Sequence, residues 1–142
     1  MPLLSPPDQQ KLRDAFSEMT RPVTLVFLTQ TLDCETCPQT RQILDELPPL
    51  SDRISIEEMN LVLEAEKARQ YGIDRAPAVV IVADGVDTRM RFVGAPAGYE
   101  FMSLVQAVIL AGGGESMLTD ENRQRLAAVD KPMAIQVFTT PT

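Results

Sequence analysis

Apolar residues recur along this chain with two different periods, and the switch between them marks out the elements. Leu12, Ala15, Phe16 and Met19 fall on one face at helical spacing. Ser5, followed by Pro6 and Asp8, has the chemistry of a helix N-cap, so a helix is predicted from there to the Arg21-Pro22 break. Residues 23–29 form a β-branched and apolar run that reads as a buried strand. A polar loop, residues 30–33, leads into Cys34. A helix follows, with Ile43, Leu44 and Leu47 on its apolar side and Pro48-Pro49 as its stop. Ile54 and Ile56 alternate with polar neighbours in a second strand reaching about Met59. Asn60 is suited to cap a helix through Ala65, Ala68 and Tyr71, closed by Gly72. Residues 78–83 are a short Val-rich strand, Asp84-Gly85 a turn, and residues 88–93 the return strand of a hairpin. Gly98 precedes a helix with Phe101, Leu104, Val105, Val108 and Ile109 facing inward, and Gly112-Gly113-Gly114 ends it.

Residues 22–111 therefore read β-α-β-α-β-β-α. One crossover followed by a hairpin and a packed helix implies an α/β sandwich around a mixed sheet. Beyond the glycines, Thr119-Asp120-Glu121 opens a further helix with Leu126 and Val129 on its apolar side. An apolar strand is expected over residues 133–138, without a sheet of its own. This ending repeats the beginning. Asp8 to Thr29 runs helix, Pro22 and a strand ending Phe27-Leu28-Thr29, and Asp120 to Thr140 runs helix, Pro132 and a strand ending Val137-Phe138-Thr139. Self-similarity of this kind is a sign of duplication. The division expected is a domain over residues 1–114 and a helix-strand extension over residues 115–142.

Composition narrows the function. The 142 residues are 44% hydrophobic and 23% charged, as in ordinary globular domains. The net charge of −7 makes nucleic acid an unsuitable partner. No run approaches the length of a membrane span, and the N-terminus lacks a basic, then apolar, leader, so a cytoplasmic location is expected. The chain has no His, which excludes imidazole ligands and bases and leaves the 2 cysteines to carry covalent chemistry.

Those cysteines form Cys34-Glu35-Thr36-Cys37, directly after a predicted strand and opening a predicted helix. A thiolate, not a thiol, attacks a disulfide, and the unpaired N–H groups of a helix start favour the thiolate. Cys34, at the very start, is the expected nucleophile, and the more buried Cys37 the resolving thiol. A structural disulfide, half of a zinc site completed only by a second copy, and a chance pairing are the competing readings; CxxC beside a βαβ pattern favours redox chemistry over all three. Asp33 and Glu35 flank Cys34, and like charge opposes its thiolate. Pro38 suits a first helical turn if the helix begins nearer Cys37. Pro77 is the second candidate. A cis Ala76-Pro77 bond in a loop facing Cys34 would expose the backbone of Ala76 to an extended substrate segment; the plain alternative is a turn proline before a strand.

The order strand, CxxC, helix, strand, helix, Ala-Pro, strand, hairpin, helix resembles the thioredoxin fold. Residues 71–78, Tyr-Gly-Ile-Asp-Arg-Ala-Pro-Ala, and residues 92–101, Phe-Val-Gly-Ala-Pro-Ala-Gly-Tyr-Glu-Phe, resemble segments of the tandem protein disulfide oxidoreductases, the glutaredoxin-like proteins with two such units in one chain. The resemblance covers nearly the whole chain as the N-terminal unit of such a protein, and residues 137–142 look like the strand leading into the second unit. It implies a thioredoxin-like three-layer sandwich with a mixed central sheet, plus the N-terminal helix and the C-terminal helix-strand extension. It also implies Cys34 as nucleophile, Cys37 as resolving cysteine and Pro77 as a cis proline. Glu35-Thr36 is neither the Gly-Pro of typical thioredoxins nor the Pro-Tyr of typical glutaredoxins, and Asp33 stands where thioredoxins usually have Trp.

The function expected is a thiol–disulfide oxidoreductase acting on protein substrates, needing no cofactor beyond its cysteines. Its partners would be disulfide-containing proteins and a protein reductase, with a homodimer through the C-terminal strand as a further pairing. The alternatives are a non-catalytic docking unit of a tandem protein and a zinc-bridged dimer.

Overall fold

A computed structural model describes residues 2–140. Helix α1 (Pro6–Phe16) begins at Ser5, whose hydroxyl accepts from the Asp8 N–H. Strands β1 (Val23–Thr29), β2 (Ile54–Asn60), β3 (Ala78–Ala83) and β4 (Val86–Val93) make one sheet in the order β2-β1-β3-β4. β1 runs parallel to β2 and antiparallel to β3, and β3 and β4 form the hairpin. The parallel pair needs a crossover, supplied by α2 (Cys37–Asp45) and a 3₁₀ turn at Pro48–Leu50. Helix α3 (Ala65–Gln70) links β2 to β3, and α4 (Tyr99–Ala111) closes the domain.

Strand alternation sends Val23, Leu25 and Phe27 to one face with Val79 and Ile81. There they pack with Leu12, Phe16 and Met19, with Leu44 and Leu47, and with Leu104, Val105 and Val108. Val26, Leu28, Ala78 and Val80 go to the other face and meet Met59, Ala68 and Ile73. Helices α1, α2 and α4 thus cover one face and α3 the other, a three-layer sandwich on a mixed sheet. The ends of α1 and α4 meet closely. The Gly112 carbonyl accepts from the Thr20 N–H at 2.7 Å. A side-chain carbon at 112 would lie 2.7 Å from Cε of Met19.

Three boundaries differ from the sequence expectation. Helix α2 opens at Cys37, with Thr36 as its N-cap, rather than at Cys34. Asn60 caps a turn, not α3: its side-chain oxygen accepts from the N–H groups of Val62 and Leu63, and the helix begins at Ala65. Helix α5 (Asp120–Ala127) forms behind a Thr119 cap as expected but buries no residue. The strand expected over residues 133–138 is not formed. Met133, Ile135, Val137 and Phe138 are exposed on a segment that pairs with nothing in the sheet. A strand exists only against a partner edge, and β-branched residues alone do not supply one. The expected continuation at Pro141 and Thr142 lies outside the described residues. Among those described, no helix is long and apolar enough to cross a membrane.

Candidate active site

The site begins where β1 ends. Thr29 lies opposite Asn60 in the sheet, and residues 30–36 leave it as a largely exposed loop. Asp33 takes a left-handed backbone conformation (φ 55°), which Asp tolerates better than most residues. Gln30 braces the loop: its side-chain amide donates to the carbonyls of Leu32 at 2.8 Å and Asp33 at 3.3 Å. Cys34 follows, half-buried, and Cys37 enters the first turn of α2 with only 4% of its surface exposed. Their sulfurs are joined in a disulfide, with the Cα atoms 5.5 Å apart. Of the two, Cys34 is the one a visiting molecule can reach.

Helix α2 is anchored at the pair. Thr40, a buried polar residue of the core, is fully bonded there: its hydroxyl and its N–H both donate to the Thr36 carbonyl, at 2.8 and 2.9 Å. Pro38 sits in the first turn, where its missing N–H has no helical partner to lose. Arg41, a turn further on, pairs with Asp45 and with Glu58 of β2. Asp33 and Glu35 are exposed and have no cationic partner among the described residues.

The second segment arrives from β3. Ala78 pairs with Leu28, so the residues before it come to the sheet end that carries Cys34. The Ala76-Pro77 bond there is cis. Pro77 is buried and its carbonyl accepts from the Gly94 N–H at 2.9 Å. Ala76 is half-buried, and neither its N–H nor its carbonyl has a partner among the described residues. Next to it, the Arg75 guanidinium, through a hydrogen bond and its charge, holds the Asp74 carboxyl below its ordinary pKa. Asn60 and Glu64 close the neighbouring turn. The Asn60 N–H donates to the Glu64 carboxylate, and this bond, with Lys67, holds that carboxyl below its ordinary value. Leu32, Leu63 and Tyr99 stand exposed around this end.

The four expected site residues, Cys34, Cys37, Ala76 and Pro77, therefore come to one end of the sheet. Gln30 is invisible to a reading of the sequence, because an amide reaching its own loop's carbonyls leaves no motif. No group of acidic and cysteine side chains suited to a metal occurs among the described residues.

A search of protein-family models finds no match. Among curated proteins, the chain is 35% identical over 81 residues to the Probable Thioredoxin of Methanothermobacter thermautotrophicus, covering 56% of this chain and 87% of that one. The chain belongs to the thioredoxin family. Larger relatives contain a comparable unit. The alkyl hydroperoxide reductase protein AhpF of Escherichia coli is 25% identical over 128 residues, which is 90% of this chain but 22% of that protein. The NTD_N/C domain of AhpF from Enterococcus faecalis superposes with a TM-score of 0.81 at 29% identity, covering 90% of this chain and 62% of the other. A protein disulfide oxidoreductase from Aeropyrum pernix shares the fold, with a TM-score of 0.74 at 24% identity over 87% of this chain and 54% of its own. This thioredoxin-family oxidoreductase unit thus spans only part of these larger proteins.

Proposed function

We propose that this thioredoxin-family chain exchanges disulfides with other proteins through Cys34 and Cys37. The observation that carries the reading is a disulfide between a half-exposed and a buried cysteine, at the sheet end where the backbone of Ala76 is unpartnered among the described residues. With the pair reduced, the Cys34 thiolate attacks one sulfur of a substrate disulfide. A Cys34–substrate disulfide forms and the other substrate sulfur leaves as a thiolate. The Cys37 thiolate then attacks the Cys34 sulfur, restoring the bond seen here and releasing the second substrate thiolate. Two electrons pass from the pair to the substrate, and each departing thiolate takes a proton from water. A dithiol reductant, a protein reductase in the cell, returns the pair to its reduced form.

Ala76 would hold an extended substrate segment through its N–H and carbonyl, with Pro77 fixing the loop. The exposed Leu32, Leu63 and Tyr99 favour an apolar stretch beside the substrate disulfide. The cysteines themselves are the redox group, so no separate cofactor is invoked. A cytoplasmic setting suits a redox-active rather than a structural pair. The apolar segment 133–138 is what would join two copies if the chain dimerises.

Insulin reduction by dithiothreitol tests the reading. The chain should accelerate precipitation of the insulin B chain, and Cys34→Ser should reduce the rate to that of dithiothreitol alone. Equal rates with the unaltered chain and Cys34→Ser overturn it.

A further inference from the structure

We infer that Gln30 is a positioning residue for the redox pair, holding the peptide before Cys34 so that its N–H faces away from Gln30 and stays free. The inference rests on the oxidoreductase reading above. Only the NH₂ end of an amide can meet two carbonyl oxygens, so the bonds to Leu32 and Asp33 define which way the Gln30 side chain points. The cis bond described is Ala76-Pro77, so the Asp33–Cys34 peptide is trans, and in a planar trans peptide the N–H points opposite to the C=O. With the Asp33 carbonyl held against Gln30, the Cys34 N–H is turned the other way. It has no partner among the described residues.

That amide is separated from the Cys34 sulfur by a few covalent bonds. A free N–H near the sulfur, and two carbonyl oxygens drawn off toward Gln30, both favour the thiolate over the thiol. The effect matters here because Cys34 stands before the helix rather than in it, and because Asp33 and Glu35 act in the opposite direction. Gln30 also restrains Asp33 in its left-handed conformation, a minor well that a released loop would leave.

The test follows the pH dependence of Cys34 alkylation by iodoacetamide in a Cys37→Ser background, where Cys34 is the one thiol. Gln30→Leu removes the donor. Gln30→Glu keeps the side-chain length but offers no donor at neutral pH and adds a negative charge. Both should move the alkylation midpoint to higher pH, Gln30→Glu further, and slow alkylation at pH 7 by roughly threefold or more. A purely structural role would shift thermal unfolding and leave the midpoint in place. Midpoints equal to that of the Gln30 protein overturn the inference, as does failure of both variants to fold. Alkylation needs no protein substrate, so a chain inactive on insulin would sink the oxidoreductase reading while this comparison still decides the role of Gln30.

Discussion

Leu28 of β1 lies opposite Ala78 of β3 in antiparallel register, and this pairing brings the cysteine loop and the Ala76-Pro77 loop to one end of the sheet. Leu28 is fully buried, in the cluster of Met59, Ala68, Ile73 and Val80. Leu28→Ala leaves a cavity where the two loops are anchored. It should cost about 2–5 kcal/mol of stability, read as a fall in the urea unfolding midpoint with an unchanged slope.

Removing the buried sulfur separates the two chemical steps. Cys37→Ser keeps the Cys34 attack but removes the thiol that resolves it. The variant, reduced and mixed with a disulfide protein, should accumulate a covalent adduct that dithiothreitol releases. Intact mass measurement shows the adduct; its absence, with Cys34 reactive to iodoacetamide, would contradict the assigned order of attack.

The carboxylates beside Cys34, which lack a cationic partner among the described residues, make its reactivity salt-dependent. Asp33→Asn with Glu35→Gln removes two like charges and should speed alkylation of Cys34 at pH 7 by roughly two- to fivefold at low ionic strength. At 1 M salt the Debye length is about 3 Å, and the difference should largely vanish. Iodoacetamide alkylation at two salt concentrations reads it.

Asp87 and Arg91 form a half-buried ion pair on β4 at 2.7 Å, with Arg91 also over the Tyr71 ring and bonded to its carbonyl. The Arg91 hydrogen bond is the main cause holding the Asp87 carboxyl below its ordinary pKa. A carboxyl depressed on folding adds stability above its unfolded pKa, about 3.9, and loses it as pH falls through the folded value. Asp87→Asn should therefore unfold more easily than the parent at pH 7, by no more than about 1 kcal/mol given the pair's exposure. The two unfolding curves should converge below about pH 3.

Residues 115–140 contribute nothing to either core cluster, and Thr139 reaches the domain through a 3.4 Å bond to Glu100. We propose that residues 1–114 are the folding unit. A chain ending at Gly114 should melt within a few degrees of the full chain and keep its insulin activity; a loss of cooperative unfolding would show the extension to be part of the domain.

Much of this is legible in the chain because the deciding interactions are local. Ser5, Asp84-Gly85 and the glycines after α4 act through their own backbone and side chain, and the elements they bound start or stop where the pattern places them. The start of α2 is ambiguous in sequence because the CxxC spacing fits either side of a helix boundary, and Pro38 decides it only once Thr36 is seen bonded to Thr40. The segment over residues 133–138 has strand composition, but composition does not create a partner edge. Gln30 escapes notice because its bonds run to carbonyls, which every residue possesses. The convergence of Cys34 with Ala76 depends on a register between distant strands, which a resemblance can suggest and a residue pattern cannot.

The contact between Met19 and Gly112 binds two distant positions into a shared history. Gly112 has an ordinary negative φ, so its own backbone does not demand glycine; the thioether above it does. Alanine becomes acceptable at 112 only beside a shorter neighbour at 19. Descendants of this chain should thus change the two sites in concert, one enlarging as the other contracts.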